Sequence, residues 1–223
     1  MLRVFIGYDS RQPIAYNVLQ FSLIRRASRP VSITPLVIEQ LPIKRTGLTP
    51  FTFSRFLVPH LCGFEGWALF LDLDMLVQGD IAEPFDMADD SAIMVVKSAS
   101  RFEWASLMLF NCGHPDNRKL TPEFIEKAEG LHGINWTDKI GTLPAEWNHL
   151  VMYDAPKPAK LLHYTAGMPC YPETKNLGYA DEWLGELKQL TTIAPWATLM
   201  GRSVHAKPVM ERLEQAKQEK PTS

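Results

Sequence analysis

The sequence predicts an α/β domain built on a mostly parallel sheet flanked by helices. Short apolar runs of strand length recur along the chain, at residues 2–7, 67–72, 92–97 and 107–111. Runs that are apolar throughout, with no alternation, suit strands buried on both faces of a sheet. The first run breaks at a polar turn, Gly7-Tyr8-Asp9-Ser10, and a segment of helical periodicity follows, which is how nucleotide-binding α/β domains open. The central run, 67–72, ends in two carboxylates, Asp72 and Asp74. In sheets of this kind ligands bind beyond the carboxyl ends of the strands.

Taken in order, residues 2–7 form the first strand. Pro13 suits the first turn of a helix, where its missing N–H would have no partner anyway. Ala15, Val18, Leu19, Ser22 and Leu23 follow at spacings of three and four, one face of a helix that runs to about Arg26. Residues 32–38 are the second strand, and 41–50, punctuated by Pro and Gly, form a loop. A short helix over 53–61 contains Pro59. The strand 67–72 comes next, then Met75-Leu76-Val77 and a turn at Gln78-Gly79-Asp80. Residues 81–90 read as a loop with one helical turn, 92–97 and 107–111 as strands, and 122–129 as a helix capped by Thr121. The stretch 130–148 reads as irregular, 160–163 as a last short strand and 180–190 as a helix. There is no internal repeat and no linker. Residues 1–205 therefore read as one domain, and 206–223, rich in Glu, Gln and Lys, as a solvated helical or disordered tail.

The 223 residues are 46% hydrophobic and 22% charged, enough to bury a sizeable core. A net charge of −2 provides no whole-surface attraction for nucleic acid or acidic lipid. Cys62, Cys112 and Cys170 lie far apart without a CxxC spacing, which favours a reducing compartment and argues against a zinc ribbon. The start, MLRVFIGYDS, turns polar too soon for a secretory leader, and no run approaches the roughly 18 apolar residues of a membrane span. The expectation is a cytoplasmic protein without a transmembrane segment.

Asp72 and Asp74 carry the clearest chemical signal. Two neighbouring anions, partly desolvated, are costly unless a cation sits between them, and no basic residue adjoins them in sequence. A hard divalent cation is the simplest partner, since Mg²⁺ and Mn²⁺ prefer carboxylate oxygen. The plainer alternative is one Asp capping the next turn and the other in solvent. Tyr8, Asp9, Asn111 and His163 also stand at the ends of predicted strands. In a mostly parallel sheet those ends share one edge, where the two carboxylates and the imidazole would close on one cation. The loop after His163, through Gly167, is built of small residues that let a ligand approach the backbone. Trp136, Trp147, Tyr164, Tyr171 and Trp183 either stack on a sugar or pack in the interior. Arg25, Arg26 and Arg29 read as favourable cations at a helix C-terminus.

The runs FSRFLVPHL, WALFLDLDMLVQGDI, LMLFNCGH, LPAEWN and LLHYTAGMP resemble, in the same order, the retaining glycosyltransferases of family 8, both glycogenin-like and galactosyltransferase-like. The resemblance covers about residues 2–171. It implies a GT-A fold (a Rossmann-like nucleotide-diphospho-sugar transferase) with a DxD motif at the end of a central strand. It implies a UDP-sugar donor, Mn²⁺ (or Mg²⁺), and a sugar, glycan or lipid-linked acceptor. By that resemblance Asp74 and His163 bind the metal, and Asp72 contacts metal and ribose. Gly7, Tyr8 and Asp9 hold the base and ribose, Arg55 faces the donor, and Asn111 and Gly113 flank the donor sugar. Asp138 falls where the family places a carboxylate near the sugar, although Asn135-Trp136-Thr137-Asp138 departs from its usual pattern. The family's Lys-Pro-Trp after the histidine is also absent, so Lys175, or metal and backbone N–H groups, would serve the diphosphate. FLDLDMLV further resembles the first motif of haloacid dehalogenase-type phosphatases, built on Asp72 and Asp74. Against that, a long α/β stretch precedes the motif, and Leu76 stands where Thr or Val is usual. A catalytically silent nucleotide-sugar binder is the remaining alternative.

Overall fold

The computed structural model describes residues 1–218. It divides into two compact units, Met1–Leu187 and a second from Lys188 on. The first unit opens with β1 (Leu2–Gly7), α1 (Pro13–Arg26) and β2 (Val31–Leu36), followed by a 3-10 turn, Ser54–Leu57, and α2 (Val58–Leu61). The central strand β3 (Trp67–Leu71) is followed by β4 (Met75–Val77), α3 (Glu83–Asp86), β5 (Ile93–Val96), β6 (Leu107–Asn111) and α4 (Pro122–Lys127). The unit continues through β7 (Ile140–Leu143), β8 (His149–Leu150), β9 (Leu161–His163) and into α5 (Ala180–Leu190).

Six strands form the main sheet in the order β2-β1-β3-β6-β5-β7. β1 pairs in parallel with both β2 and β3, and β5 in parallel with β7. β6 is antiparallel to both β3 and β5, so one strand of the six is reversed. A smaller sheet, β4-β9-β8, grows from the chain just past β3. The apolar runs of β1, β3, β5 and β6 are buried as expected, Val4, Ile6, Ala68, Leu69, Phe70 and Leu71 completely so, whereas the edge strand β2 is mostly not. Ala15, Val18, Leu19, Ser22 and Leu23 are the buried face of α1. Ser22 Oγ donates to Leu19 O (2.8 Å) and accepts from the Val77 backbone N–H (3.1 Å), tying α1 to β4. Thr121 caps α4 through its side chain, which accepts from Phe124 N. Trp136, Trp147, Tyr164 and Trp183 are all buried, so packing is their role, and of the five aromatics Tyr171 alone is exposed.

Two sequence expectations change. The stretch 130–148 contains β7, whose residues Ile-Gly-Thr-Leu carry little apolar signal because it is an edge strand paired only with β5. The basic cluster does more than complement a helix end. Arg25 and Arg26 each reach a carboxylate oxygen of Glu186 on α5 at 2.8 Å, and Arg29 pairs with Asp86. The Glu186 side chain is only 3% exposed. Burial alone would raise its pKa, but hydrogen bonds from Arg26 and Arg25 outweigh that and hold it below the usual glutamate range. A depressed folded-state pKa means stabilisation that is present above the unfolded value, about 4.3, and is lost as pH falls through the folded value. Glu186→Gln should therefore cost about 2 kcal/mol in urea melts at pH 7, with the gap from wild type closing in acid. A constant gap down to pH 3 would remove the ion pair as its cause.

The second unit contains α6 (Trp196–Met200) and α7 (Ala206–Gln218), neither with a buried residue. The boundary at residue 205 drawn from the sequence falls inside this unit, and Ala206–Gln218, the first part of the expected tail, is an exposed helix. The rest of that tail, 219–223, lies outside the described residues. Among the described residues no helix is long and apolar enough to cross a membrane.

Candidate active site

The site is built at the C-terminal edge of β1 and β3. Register pairs Ile6 with Leu71, which sets Gly7 beside Asp72. The chain then turns into β4, and β9 pairs antiparallel to it with His163 opposite Met75. The Tyr164 N–H donates to Asp74 O at 2.9 Å. That register brings His163 back to a carboxylate 89 positions earlier in the chain: its Nε2 is 3.4 Å from Asp74 Oδ1. One ligand atom from each of Asp72, Asp74 and His163 falls within 4.8 Å of the other two. A cleft of about 430 Å³ opens over them, lined among others by Phe51, Arg55, Arg101, Glu103, His132 and Thr165.

The electrostatics at this edge are tight. Burial pushes the Asp72 carboxyl up to about 7; Arg55 opposes the rise and Asp74 adds to it. Burial would also raise Asp74, but the charge and hydrogen bond of His163 outweigh it and hold Asp74 below its usual range. Conversely, burial works to lower His163, and Asp74 raises it above the ordinary imidazole value. Between protein groups alone, a proton shared with His163 is what offsets the charge of Asp74. Asp72 Oδ1 and Asp74 Oδ1 are buried, and their cationic neighbours, Arg55 Nη2 at 3.0 Å and His163 Nε2 at 3.4 Å, form ion pairs with them rather than well-aligned hydrogen bonds.

The cation absent from the local sequence comes partly from Arg55, 7% exposed on the 3-10 turn Ser54–Leu57. Its Nη1 donates to Asp72 Oδ2 (3.2 Å) and Ala105 O (2.7 Å), and its Nη2 lies 3.0 Å from Asp72 Oδ1. Arg55 therefore positions Asp72. Asn148, which sequence reasoning left without a role, fixes the histidine. Its Nδ2 donates to Glu103 O (3.1 Å) and Ser106 Oγ (3.0 Å), which leaves Oδ1 facing His163 Nδ1 at 3.0 Å. An acceptor there keeps the proton on Nδ1 and turns the Nε2 lone pair toward the two aspartates, the arrangement of a metal-ligating histidine. Two carboxylates and an imidazole whose Nε2 is free to ligate once its proton leaves fit Mn²⁺ or Mg²⁺.

The structure brings some of the other expected residues here and leaves others away. Gly7 ends β1 at this edge, and a Cβ on it would meet the Phe51 ring at 2.5 Å. Gly7→Ala should thus displace Phe51 from the cleft wall at a stability cost of about 2 kcal/mol. A thermal melt would check this, and an unchanged Tm would show that the ring yields without cost. Tyr8 packs edge-on against Tyr16, and both oxygens of Asp9 are taken by Arg11. Gly167, at φ +117, forms the turn two residues beyond Thr165.

Asn111, Gly113 and Asp138 do not join the site. β6 runs antiparallel, so its C-terminal residue Asn111 pairs with Trp67, at the start of β3. Gly113 packs near Phe64 and Gly66, just before that start. Asp138 is exposed and precedes β7, where the Lys139 carbonyl accepts from Ala92 N, while Asn111 N donates to Ala92 O. Both residues expected to act on the sugar therefore sit at the opposite edge, beside the start of β5. The reversed strand instead delivers its N-terminal side, Glu103 to Ser106, to the cleft. A signal for this exists in the sequence, the small pair Ala105-Ser106 before the apolar run, but only strand direction gives it meaning. Lys175 lines a separate groove with Asn176 and Glu182.

No family model matches the sequence. The fold is that of solved GT-A glycosyltransferases. The bifunctional glycosyltransferase WbbM superposes with a TM-score of 0.62 at 15% identity over 95% of this chain and 51% of that one, so the chain spans about half its length. The galactosyltransferase LgtC, solved with donor and acceptor sugar analogues, superposes with a TM-score of 0.60 at 14% identity over 88% of this chain and 99% of that one. The glycosyltransferase GlyE of Streptococcus pneumoniae TIGR4 gives 0.62 at 16% identity over 90% of this chain and 63% of its own. In sequence the chain is 37% identical over 225 residues to Protein CDI of Arabidopsis thaliana, an alignment spanning 84% of this chain and 86% of that protein. The chain belongs to the family of Protein CDI.

Proposed function

We propose that this protein is a metal-dependent retaining glycosyltransferase that moves a hexose from a UDP-sugar to a hydroxyl of a sugar, glycan or lipid-linked acceptor. The observation that carries this reading is the convergence of Asp72, Asp74 and His163, with two buried carboxylate oxygens that accept no well-aligned hydrogen bond, on a cleft at the strand edge where GT-A folds bind nucleotide-sugars. A bound Mn²⁺ or Mg²⁺ supplies the charge that stabilises a departing diphosphate. The chain's own residues set the geometry. Arg55 and Asn148 orient Asp72 and His163. Arg101, exposed and lining the cleft, is the cation suited to the diphosphate in place of the absent lysine. His132, exposed at the cleft rim but stacked edge-on against Phe53 and Phe56, has its pKa lowered by partial burial and by Arg55 and Arg45, and with Phe51 it forms a wall suited to a nucleobase.

In the transfer, the bond from the anomeric carbon to the phosphate oxygen breaks as the acceptor oxygen bonds on the same face. The acceptor proton passes to the departing phosphate oxygen. No glycosyl-enzyme on Asp138 belongs to this reading, since that carboxylate is at the far edge of the sheet. The phosphatase alternative is not favoured, because Asp72 is held by Arg55 and the fold is GT-A. One observation supports the silent-binder alternative: Arg55 offsets Asp72 without any metal. The free thiols of Cys62, Cys112 and Cys170 support a cytoplasmic setting.

Thermal-shift titration with UDP, with and without Mn²⁺, on wild type and Asp74→Ala tests the reading. Ligand at a hundredfold excess over Kd adds about 2.7 kcal/mol of stability. The expected shift needs Mn²⁺ and disappears in the variant. No shift with any nucleoside diphosphate would sink the donor site, and binding without donor turnover would favour the silent binder.

A further inference from the structure

The segment between β5 and β6 reaches the cleft because β6 is reversed. Two of its non-glycine residues, Arg101 and Glu103, hold left-handed φ values of 59° and 58°. For residues with a Cβ this conformation costs about 1 kcal/mol or more, and such strain concentrates at functional sites. At Glu103 it separates the backbone from the side chain. The carbonyl accepts from Ser106 Oγ (2.6 Å) and Asn148 Nδ2 (3.1 Å) and so supports the orientation of His163. The carboxylate lines the cleft, where Oε1 accepts from Thr165 Oγ1 at 2.9 Å. Its charge reaches Asp72 and His163, raising the pKa of both. Among the described residues no donor engages Oε2. The same cleft holds the Asp72 and Asp74 oxygens that accept no well-aligned hydrogen bond, with Asp72 itself only 7% exposed.

We propose that Glu103 is the sugar-facing carboxylate of this site. It accepts hydrogen bonds from hydroxyls of the transferred hexose and opposes the positive charge that grows at the anomeric carbon, without bonding to the sugar. This rests on the glycosyltransferase reading and puts Glu103 in the role expected of Asp138. Oxocarbenium-like transition states gain from a fixed carboxylate because the charge it opposes is largest there. Thr165 holds one oxygen so that the other points at the ligand.

Glu103→Gln keeps the shape and the Thr165 hydrogen bond while removing the charge. The test measures UDP affinity in Mn²⁺ by calorimetry, and UDP release from a panel of UDP-hexoses with and without acceptor sugars. The expected result is a UDP Kd within about twofold of wild type and a kcat lower by about a hundredfold. Thr165→Val, which frees the carboxylate, should lower kcat about fivefold at unchanged UDP affinity. A wild-type kcat in Glu103→Gln overturns the proposal. So does a loss of UDP affinity matching the loss of rate, which would place Glu103 at the nucleotide end. A wild type that binds UDP yet turns over no UDP-hexose also removes the sugar-facing role. A wild type that binds no UDP sinks the glycosyltransferase reading itself, and the role of Glu103 with it.

Discussion

Asp74→Ala should lower kcat for sugar transfer by about a thousandfold, some 4 kcal/mol of transition-state stabilisation, and leave the fold intact. The asymmetry follows from what the residue touches. Among the described residues its side chain has one partner, His163, whose Nε2 lies 3.4 Å from the buried Oδ1. Its backbone carbonyl, by contrast, accepts from Tyr164 N at 2.9 Å and continues the pairing of β4 with β9 whatever the side chain. Removing the carboxylate relieves a buried charge. His163 then sits as a neutral imidazole, still held by Asn148. The melt should move by less than about 1 kcal/mol, whereas deleting a packed core side chain costs about 2–5. Mn²⁺ calorimetry, donor turnover and a circular-dichroism melt on the same sample check the three parts. A wild-type rate would take Asp74 out of the catalytic set. A collapsed melt would make it a structural residue.

What the sequence could carry here depended on local signals. β1, β6 and α5 match their predicted bounds because apolar runs and helical periodicity are properties of neighbouring residues. Asp72, Asp74 and His163 do come together as the sequence predicts, but not along one edge of a parallel sheet: His163 arrives on β9 of the smaller sheet, antiparallel to β4. Strand direction is a property of the whole sheet and leaves no mark in a run such as Leu-Met-Leu-Phe-Asn. Treating β6 as parallel moved Asn111 to the wrong edge and hid Glu103 and Ser106. Asp138 failed for a related reason: it precedes a strand, β7, that the sequence hardly signals, and so lies at the edge where parallel strands begin. Asn148 and Arg55 act through side-chain contacts 15 and 17 residues distant, and periodicity does not encode those.

Arg55→Ala should do the reverse of Asp74→Ala: it should cost the fold about 3 kcal/mol as well as activity. The guanidinium is buried between the Phe51 and Phe70 rings, 5.5 Å and 5.0 Å from their centroids, and its donors go to Ala105 O, Phe51 O and Asp72. Losing one member of a buried pair strands the other, which is costlier than losing both. Asp72, 7% exposed, would keep only the weaker opposition of His163 to its charge unless a metal ion is bound. For a unit of this size the loss corresponds to a fall in Tm of about 6–12 °C, read in chelator so that no cation substitutes for the arginine. Adding Asp72→Asn should restore part of that stability without restoring activity, a non-additivity expected only of residues in contact. If Arg55→Ala melts with the wild type in chelator, or Asp72→Asn lowers its stability further, then the guanidinium is not what offsets the carboxylate. Asp72 would then depend for its ionised state on the divalent cation alone, and its role would be that of a ligand with no second anchor.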